Sequence, residues 1–364
     1  MPSSVLKQGR LPVVPYPAGL HLQAVHTSDV AAAYRLAASR PGRCGDGSPR
    51  SRLRAEPLGA PARWGRRQAP KSSPEMTLWP DSGASRTGEG GSMPVWICEA
   101  CANHFPPTPA PPATCPICSD ERQWVPPSGQ GWTTSEALLA AGHHCQVRTV
   151  EPGLTGVGVD PPVGIGQRAL LVQTEEGNLL WDPPGLVDRS AVEAVAALGR
   201  LAFVTASHPH FYGATADWHD ATGARVVVPE EDAGWLTRSD VPATSWGGAW
   251  EILPGVTLVQ CGGHFPGSAV VHWAAGAQGA GALLTGDTIM VTPGRDRLTF
   301  VWSAPNHLPL AEGAVRRIRE AVSPYRFDRV YGGWWDSVIE TGAQQLLDAS
   351  VERYCQLLRG EAAR

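Results

Sequence analysis

Lysine is almost missing from this 364-residue chain, because Lys7 and Lys71 are its only lysines and both precede residue 93. Long hydrophobic runs are missing too. No stretch approaches the roughly 18 uninterrupted apolar residues of a membrane-spanning helix, and the N-terminus lacks the short apolar core of a signal peptide. P-loop and dinucleotide-binding fingerprints are also absent. We therefore expect a cytoplasmic protein without a membrane partner. Its 42% hydrophobic fraction supports a sizeable core and excludes a small disulfide scaffold.

Charge divides the chain into two unlike parts. Residues 1–92 carry 13 basic and 6 acidic side chains, whereas the remainder carries 17 and 28, a net charge of −11. A strongly acidic folded part repels a phosphate backbone. We therefore expect a small-molecule substrate and no nucleic-acid partner, while the sequence assigns no oligomeric state.

Residues 1–92 are predicted to form no domain. Gly, Ser, Pro, Arg and Ala dominate from residue 42 to residue 92, and such a segment buries too little apolar surface to offset its ordering entropy. A basic tail for an acidic partner and an organelle transit peptide are two interpretations. We favour a third, a spurious extension upstream of Met93. Gly88-Glu89-Gly90-Gly91 would be encoded by a purine-rich run that resembles a bacterial ribosome-binding site.

Four cysteines in two C-x-x-C pairs follow, and they predict a metal-binding knuckle over residues 93–125. They are Cys98, Cys101, Cys115 and Cys118. Each pair can present two thiolates to one tetrahedral ion, and metal binding explains how so short a segment folds. The remaining cysteines are isolated and are interpreted as packing residues.

The knuckle resembles a zinc ribbon, or the short-spaced rubredoxin module of rubrerythrins. Phe105 and Trp124 are its candidate packing aromatics. Rubredoxins usually place glycine after each cysteine pair, where this chain has Ala102 and Ser119, so zinc is favoured over iron. Residues 126–144, which are rich in Pro and Gly at the start, are interpreted as a linker.

Short apolar runs bounded by Gly, Pro or Asp predict strands in the main domain, residues 145–360. Apolar residues at helical spacing predict three helices. The predicted strands are 169–174, 178–182, 201–205, 225–228, 256–260, 269–273 and 282–285; the helices are 190–198, 311–322 and one that carries Leu346, Leu347, Val351, Tyr354 and Leu358.

Three histidines and one aspartate follow predicted strand ends. His208 and His210 form an H-x-H pair directly after a strand, His264 lies in a glycine-rich turn, and Asp287 follows another strand. Three neutral imidazoles and a carboxylate are a plausible zinc ligand set. We therefore predict a second metal site at one edge of the domain.

At this point the sequence resembles the metallo-β-lactamase-fold superfamily, which includes glyoxalase II-like hydrolases. The resemblance covers roughly residues 164–354 and implies an α+β protein with an αββα sandwich. The first loop of the family is usually H-x-H-x-D-H, but Tyr212 and Gly213 stand at the last two ligand positions. A terminal histidine is also usual, and the corresponding segment, residues 329–336, has none. The resemblance therefore implies one metal in the sandwich and a lost second site.

The function we expect is a metal-dependent hydrolase of a small ester, thioester, lactone or phosphoester. A zinc ion held by the three histidines would activate a water molecule. Asp287 would bind the ion or accept the proton of the water, and Tyr212 would donate a hydrogen bond to a developing oxyanion. Three tryptophans near strand ends are candidate substrate contacts, with packing as the alternative: Trp302, Trp334 and Trp335.

Two other functions remain open. His208, His264 and Asp287 could form a two-His-one-carboxylate iron triad, as in the sulfur dioxygenases of this superfamily, with iron also in the cysteine knuckle. This would be a mononuclear iron redox or dioxygenase-type enzyme. The third candidate is a non-catalytic protein that keeps the fold.

Overall fold

The computed structural model describes residues 93–361. The predictions for residues 1–92 lie outside the described residues. None of the helices in the described part of the chain has both the length and the hydropathy to cross a membrane.

The four-cysteine module is a small hairpin structure. Strand β1 (Ile97–Cys98) pairs antiparallel with β2 (Trp132–Thr133), and helix α1 (Pro116–Ser119) carries the second cysteine pair. Helix α2 (Ser135–Ala140) follows, capped by the Thr134 side chain, which accepts from the backbone N–H of Ala137. The structure therefore corrects the predicted linker over residues 126–144: β2 closes the module, and α2 begins two residues later.

The first large sheet has seven strands in the order β3 to β9. Its first half is antiparallel, and β6 through β9 run parallel. Its strands are β3 (His144–Glu151), β4 (Leu154–Asp160), β5 (Ala169–Val172), β6 (Asn178–Trp181), β7 (Leu201–Thr205), β8 (Arg225–Pro229) and β9 (Ala243–Trp246).

The second large sheet has six strands in the order β10-β11-β12-β13-β18-β19, in which β13 and β18 are parallel. Its strands are β10 (Ala249–Leu253), β11 (Val256–Gln260), β12 (Ala269–Trp273), β13 (Ala282–Leu284), β18 (Arg329–Tyr331) and β19 (Val338–Ile339). Two short ribbons join the parallel strands: β14 (Met290–Val291) with β15 (Leu298–Thr299), and β16 (Val301–Ser303) with β17 (Leu308–Pro309).

Alternating side chains divide the apolar interior into three cores, and these define the layers. On β5, Leu170 faces the opposite sheet while Leu171 packs under the helices of its own sheet. Helices α3 (Arg189–Ala197) and α4 (Thr215–Thr222) cover the first sheet. Helices α5 (Glu312–Val322) and α6 (Ala343–Leu358) cover the second. The result is an αββα sandwich, and the fold prediction is confirmed.

Every strand and helix predicted in residues 145–360 occurs, with ends that shift by at most two residues where bounds were given. Two long strands, β3 and β4, were missed. Much of β3 is exposed, and Gly156 and Gly158 interrupt the apolar alternation of β4. The two strands pair with each other over their whole length as a hairpin closed by Pro152 and Gly153, so this edge of the sheet forms by pairing of neighbouring strands without a continuous buried apolar pattern.

The four-cysteine module is fixed to the sandwich by a fully buried imidazole. Nδ1 of His104 lies 2.8 Å from a carboxylate oxygen of Asp217 on α4, and Nε2 lies 3.0 Å from the carbonyl oxygen of Gly185. Burial lowers the pKa of His104, but the charge of Asp217 and these two acceptors outweigh that effect and raise it. Both ring nitrogens therefore donate to the sandwich.

We expect Tyr354→Phe to lower the free energy of unfolding by about 1–3 kcal/mol. The buried hydroxyl donates to the Phe300 carbonyl at 2.7 Å and accepts from the Leu310 N–H at 2.8 Å, so it joins α6 to two neighbouring loops. Urea denaturation measures the change. Tyr325→Phe is the matched control, because the half-buried Tyr325 ring stacks on His272 and keeps that contact without its hydroxyl. Equal midpoints for both variants would contradict the prediction.

Candidate metal centres

The four cysteine sulfurs form a compact cluster. Cys98 Sγ lies 3.6 Å from Cys118 Sγ, and Cys101 Sγ lies 3.7 Å from Cys115 Sγ. All four ligand atoms lie within 4.8 Å of one another, and all four residues are buried. Sulfurs in a tetrahedron around zinc, at about 2.3 Å from the ion, would lie about 3.8 Å apart, whereas a disulfide needs about 2.05 Å. The geometry therefore fits a tetrahedral ion and excludes disulfides.

Amide groups support two of these sulfurs. Gln130 Nε2 donates to Cys98 Sγ at 3.1 Å, and Asn103 Nδ2 donates to Cys101 Sγ at 3.4 Å. Donors to sulfur favour the thiolate form that a metal requires.

Aromatic packing in the module differs partly from the prediction. Phe105 is buried and meets Trp132 edge to face at 5.0 Å. Trp124 is 45% exposed, so it is not a packing aromatic of the knuckle. Trp132 takes that place, because the β1–β2 pairing brings it beside the cysteines.

The second cluster forms where strand ends of the two sheets meet. His208 and His210 follow β7, Asp287 follows β13, and His264 lies in the loop between β11 and β12. Their ligand atoms also lie within 4.8 Å of one another. The structure thus brings together all four predicted residues from three separate loops.

The orientation of the rings suits one cation. His264 Nε2 lies 3.3 Å from His210 Nδ1, and His208 Nε2 lies 3.6 Å from Asp287 Oδ2. Ligand atoms at about 2.1 Å from zinc would lie about 3.4 Å apart in a tetrahedron. His208 Nε2 and Asp287 Oδ1 are buried without a hydrogen-bond partner among the described residues. These orphaned groups and the donor set fit a bound divalent ion.

A serine and an aspartate orient the first histidine. In the tautomer that leaves Nε2 of His208 free for a cation, its Nδ1–H donates to Ser207 Oγ at 2.8 Å. The backbone N–H of Ser207 donates to Asp182 Oδ1 at 2.6 Å. Gly286 packs against the same serine with φ +50°, and a Cβ there would collide with Ser207 Oγ. This close approach requires glycine beside the metal loop.

Burial sets the charge of these side chains. Burial lowers the pKa of His264 to about 4. Burial and the neighbouring imidazoles together lower the pKa values of His208 and His210 well below the usual range. The histidines are therefore neutral, as metal ligands must be. Burial raises the pKa of Asp287 to about 7, and that of Asp182 also to about 7. A bound cation would offset this cost and keep Asp287 ionised.

The cysteine module covers this centre. The Arg122 guanidinium lies 3.7 Å from the ring centroid of Phe265 and donates to the His264 carbonyl at 3.3 Å. Asp120 holds the guanidinium with two short contacts, at 2.6 and 2.9 Å. A cavity of about 360 Å³ lies beside the His264 loop, but none of the four ligand residues lines it. The metal ligands are therefore enclosed.

The hydroxyl of Tyr212 is not free for the predicted oxyanion role. Its hydroxyl is buried and donates to the Asp232 carbonyl at 3.2 Å. Burial, followed by the charge of Asp232, raises its pKa well above the usual range. We correct the prediction: this hydroxyl holds the segment after β8 in place.

The three candidate tryptophans occupy different places. Trp302 is partly buried, and its indole N–H donates to Glu121 of the cysteine module at 3.2 Å. Trp334 meets Phe211 edge to face at 6.1 Å. Trp335 lies over the glycines of β4. Trp302 and Trp334 are thus packing residues in this structure, while Trp335 borders the metal edge of the sandwich.

Sequence reasoning missed several residues around the site. Asp182 had a readable signal, since it is a carboxylate at the end of a predicted strand, like Asp287. Arg122 and Asn103 had none, because their partners are distant in sequence. Arg168 had none either, because no motif includes it.

We expect Ser207→Ala to weaken metal binding at the histidine cluster about 10- to 100-fold, because His208 loses the partner that fixes its ring. Competition with a chromophoric chelator measures the affinity. Ser245→Ala, an exposed strand position, is the control and should bind like the parent protein. Unchanged affinity in Ser207→Ala would show that the hydroxyl does not orient the ring.

The chain has similar proteins in sequence and in structure. No protein-family model matches it. Three solved structures are similar at low identity: VMB-1 (14% identity, TM-score 0.45, 60% of this chain and 99% of that chain), DIM-1 metallo-β-lactamase (13%, 0.44, 60% and 99%) and the metallo-β-lactamase FIM-1 from Pseudomonas aeruginosa in its mono-zinc form (11%, 0.43, 59% and 95%).

In sequence, the chain is 36% identical over 271 residues to the uncharacterized protein YmaE of Bacillus subtilis (strain 168). The match covers 74% of this chain and 98% of YmaE. Similarity of this extent is family-level similarity, and the chain belongs to the same protein family as YmaE.

Proposed function

We propose that the protein is a metal-dependent hydrolase of a small ester, thioester, lactone or phosphoester, with one zinc in the sandwich and one in the cysteine module. The observation that carries the proposal is the enclosed cluster of three neutral imidazoles and one carboxylate. A zinc ion there would lower the pKa of a coordinated water and polarise a carbonyl or phosphoryl oxygen.

Each residue of the cluster would have a separate role in the reaction. His208, His210 and His264 would hold the ion through their ring nitrogens, which burial keeps neutral. Asp287 has one oxygen facing His208 Nε2 and a second oxygen without a partner in the described structure. The second oxygen can accept the proton of the attacking water, which is general-base catalysis.

The four-cysteine module helps to enclose the cluster of histidines and aspartate. Arg122 and Phe265 form one wall beside the histidines, and Asn103 donates to the backbone carbonyl of His210 at 3.2 Å. A site closed in this way excludes bulk water and strengthens the interactions inside it. Its zinc would be structural, because all four ligand positions are filled by cysteine.

An iron redox enzyme is the second candidate, and one contact favours it. Asn103 Nδ2 donates both to Cys101 Sγ at 3.4 Å and to the His210 carbonyl at 3.2 Å. This amide joins the two clusters directly. Two redox-active ions connected by such a short link suit electron exchange, so iron in both clusters would support this function.

Metal analysis of the full chain separates these functions. We expect about two zinc ions per chain, and about one in a Cys98→Ser/Cys115→Ser double variant, because the two clusters have separate ligands. Elemental analysis measures both metals. Cys355→Ser, an isolated cysteine in α6, is the control and should keep the full content. Iron in the sandwich would support the redox candidate, and an empty histidine cluster would support a non-catalytic protein.

Hydrolysis is tested with p-nitrophenyl acetate, an acetyl thioester, γ-butyrolactone and bis-p-nitrophenyl phosphate. We expect His264→Ala and Asp287→Asn to lower kcat/KM for any hydrolysed probe at least about 100-fold. Removing a metal ligand should reduce activity more than removing a residue that only hydrogen-bonds to a ligand. His144→Ala, an exposed histidine, is the control. Full activity in Asp287→Asn would overturn the assignment.

A further inference from the structure

Arg168 is a buried cation without a hydrogen-bonding partner. Its side chain belongs to a residue that is 2% exposed, and its three guanidinium nitrogens have no hydrogen-bond acceptor within the described residues 93–361. It also forms no ion pair within that range. The side-chain carbonyl oxygen of the preceding residue, Gln167, is also buried without a partner. Proteins seldom bury such groups unless something binds them.

The backbone places Arg168 at the metal edge of the sandwich. It directly precedes β5, opposite the end of β6 where Asp182 begins the next loop. Its backbone N–H donates to the Gly333 carbonyl at 2.8 Å, just beyond β18. Because β6 and β7 are parallel neighbours, their ends lie together, and β7 leads into the H-x-H loop.

Asp182 connects the end of β6, which lies opposite Arg168, to the H-x-H loop. One of its oxygens accepts from the Ser207 N–H, next to His208. Its other oxygen lies close to Gly286, the residue before Asp287, because a Cβ on Gly286 would lie 3.1 Å from Asp182 Oδ2. Asp182 therefore contacts both segments that carry metal ligands at this edge, the H-x-H loop and the loop of Asp287.

Aromatic rings form the rest of the enclosure. The guanidinium carbon lies 6.0 Å from the Tyr331 ring centroid and 5.9 Å from the Trp335 ring centroid. Gly156 and Gly158 on β4 leave space for the Trp335 ring, because a Cβ at either position would press against it. On its outer side the same ring meets the exposed Arg148 at 4.6 Å. The half-buried Trp335 is thus the side chain that separates Arg168 from the surface.

We propose that Arg168 is an anion-binding residue of a substrate subsite beside the histidine cluster, and that the substrate carries a carboxylate or phosphate group. Guanidinium groups bind both anions through two parallel hydrogen bonds, which would satisfy the orphaned nitrogens. Trp335 is the wall that must shift to admit the anion. The inference that this anion is part of a substrate rests on the proposed hydrolase function. The existence of the anion site itself does not depend on that function.

The test measures anion binding by the full, metal-loaded chain, with inorganic phosphate and malonate as separate probes. Calorimetry and thermal denaturation give affinity and Tm. We expect at least one probe to bind the parent protein and raise its Tm. Arg168→Met should abolish binding and raise the Tm of the free protein, because an unpaired buried charge is removed. Arg168→Lys should fold and bind at least about tenfold more weakly, since a lysine cannot form the paired hydrogen bonds.

Arg148→Met is the matched control, because it removes an exposed arginine from the other face of the same tryptophan and should leave affinity unchanged. Phosphate binding alone would identify a phosphate-bearing substrate, and malonate binding alone a carboxylate. The proposal is overturned if the parent protein binds neither anion, or if Arg168→Met binds like the parent. A large fall in Tm or failure to fold in Arg168→Met would also overturn it and indicate a structural cation.

The results of this test can be distinguished from the results that test the hydrolase proposal. A parent protein that binds neither anion but has normal metal content and hydrolyses a probe would contradict only the subsite. Anion binding that depends on Arg168, in a protein that hydrolyses none of the ester and phosphoester probes, would contradict only the reaction. Elemental analysis of each variant shows whether the metal content is unchanged.

Discussion

Four buried donor side chains share one small volume at the edge between the two sheets, and they need a positive charge. His208, His210, His264 and Asp287 have little solvent and few protein partners. Burying such groups is costly unless a cation is bound. His208 and His210 follow β7 of the first sheet, Asp287 follows β13 of the second sheet, and His264 lies between β11 and β12, so the packing of the two sheets brings these loops together. Ser207, Asp182 and Gly286 then fix the approach of the first ring.

The cysteine module belongs to this arrangement, because it closes the open side of the centre. Arg122 reaches the loop of His264, and Asn103 reaches the loop of His210. The same amide contacts a cysteine sulfur, so the geometry of one cluster is transmitted to the other. A metal in the module would therefore also influence the geometry of the histidine–aspartate cluster, although its own four ligands would all be cysteines.

Apolar periodicity along the chain predicted the strands and helices whose buried faces follow that periodicity. Apolar runs gave β7, β11 and β12 with their ends exact, and helical spacing gave the buried face of α5. The metal ligands were readable because each follows a strand end or a glycine-rich turn. The β3–β4 hairpin is local, but its exposed and glycine-containing strands lack a clear apolar alternation. The linker elements and the wall made by Arg122 were not readable, because they depend on contacts between residues distant in sequence, such as Arg122 and His264, which are 142 positions apart. Tyr212 was misassigned for the same reason, since its partner is contributed by a later segment.

The buried imidazole of His104 makes each of the two parts of the protein depend on the other for a hydrogen-bonding partner. It donates to the sandwich from inside the cysteine module, and Asp217, its acceptor, is also bound by Arg238 at 3.4 Å. A sandwich that lost the module would retain an acidic pocket shaped for a missing ring, while a module transferred to another protein would carry an imidazole without acceptors. Because a buried donor or acceptor without its partner is costly, we expect changes at His104, Asp217 and Arg238 to accompany one another among relatives.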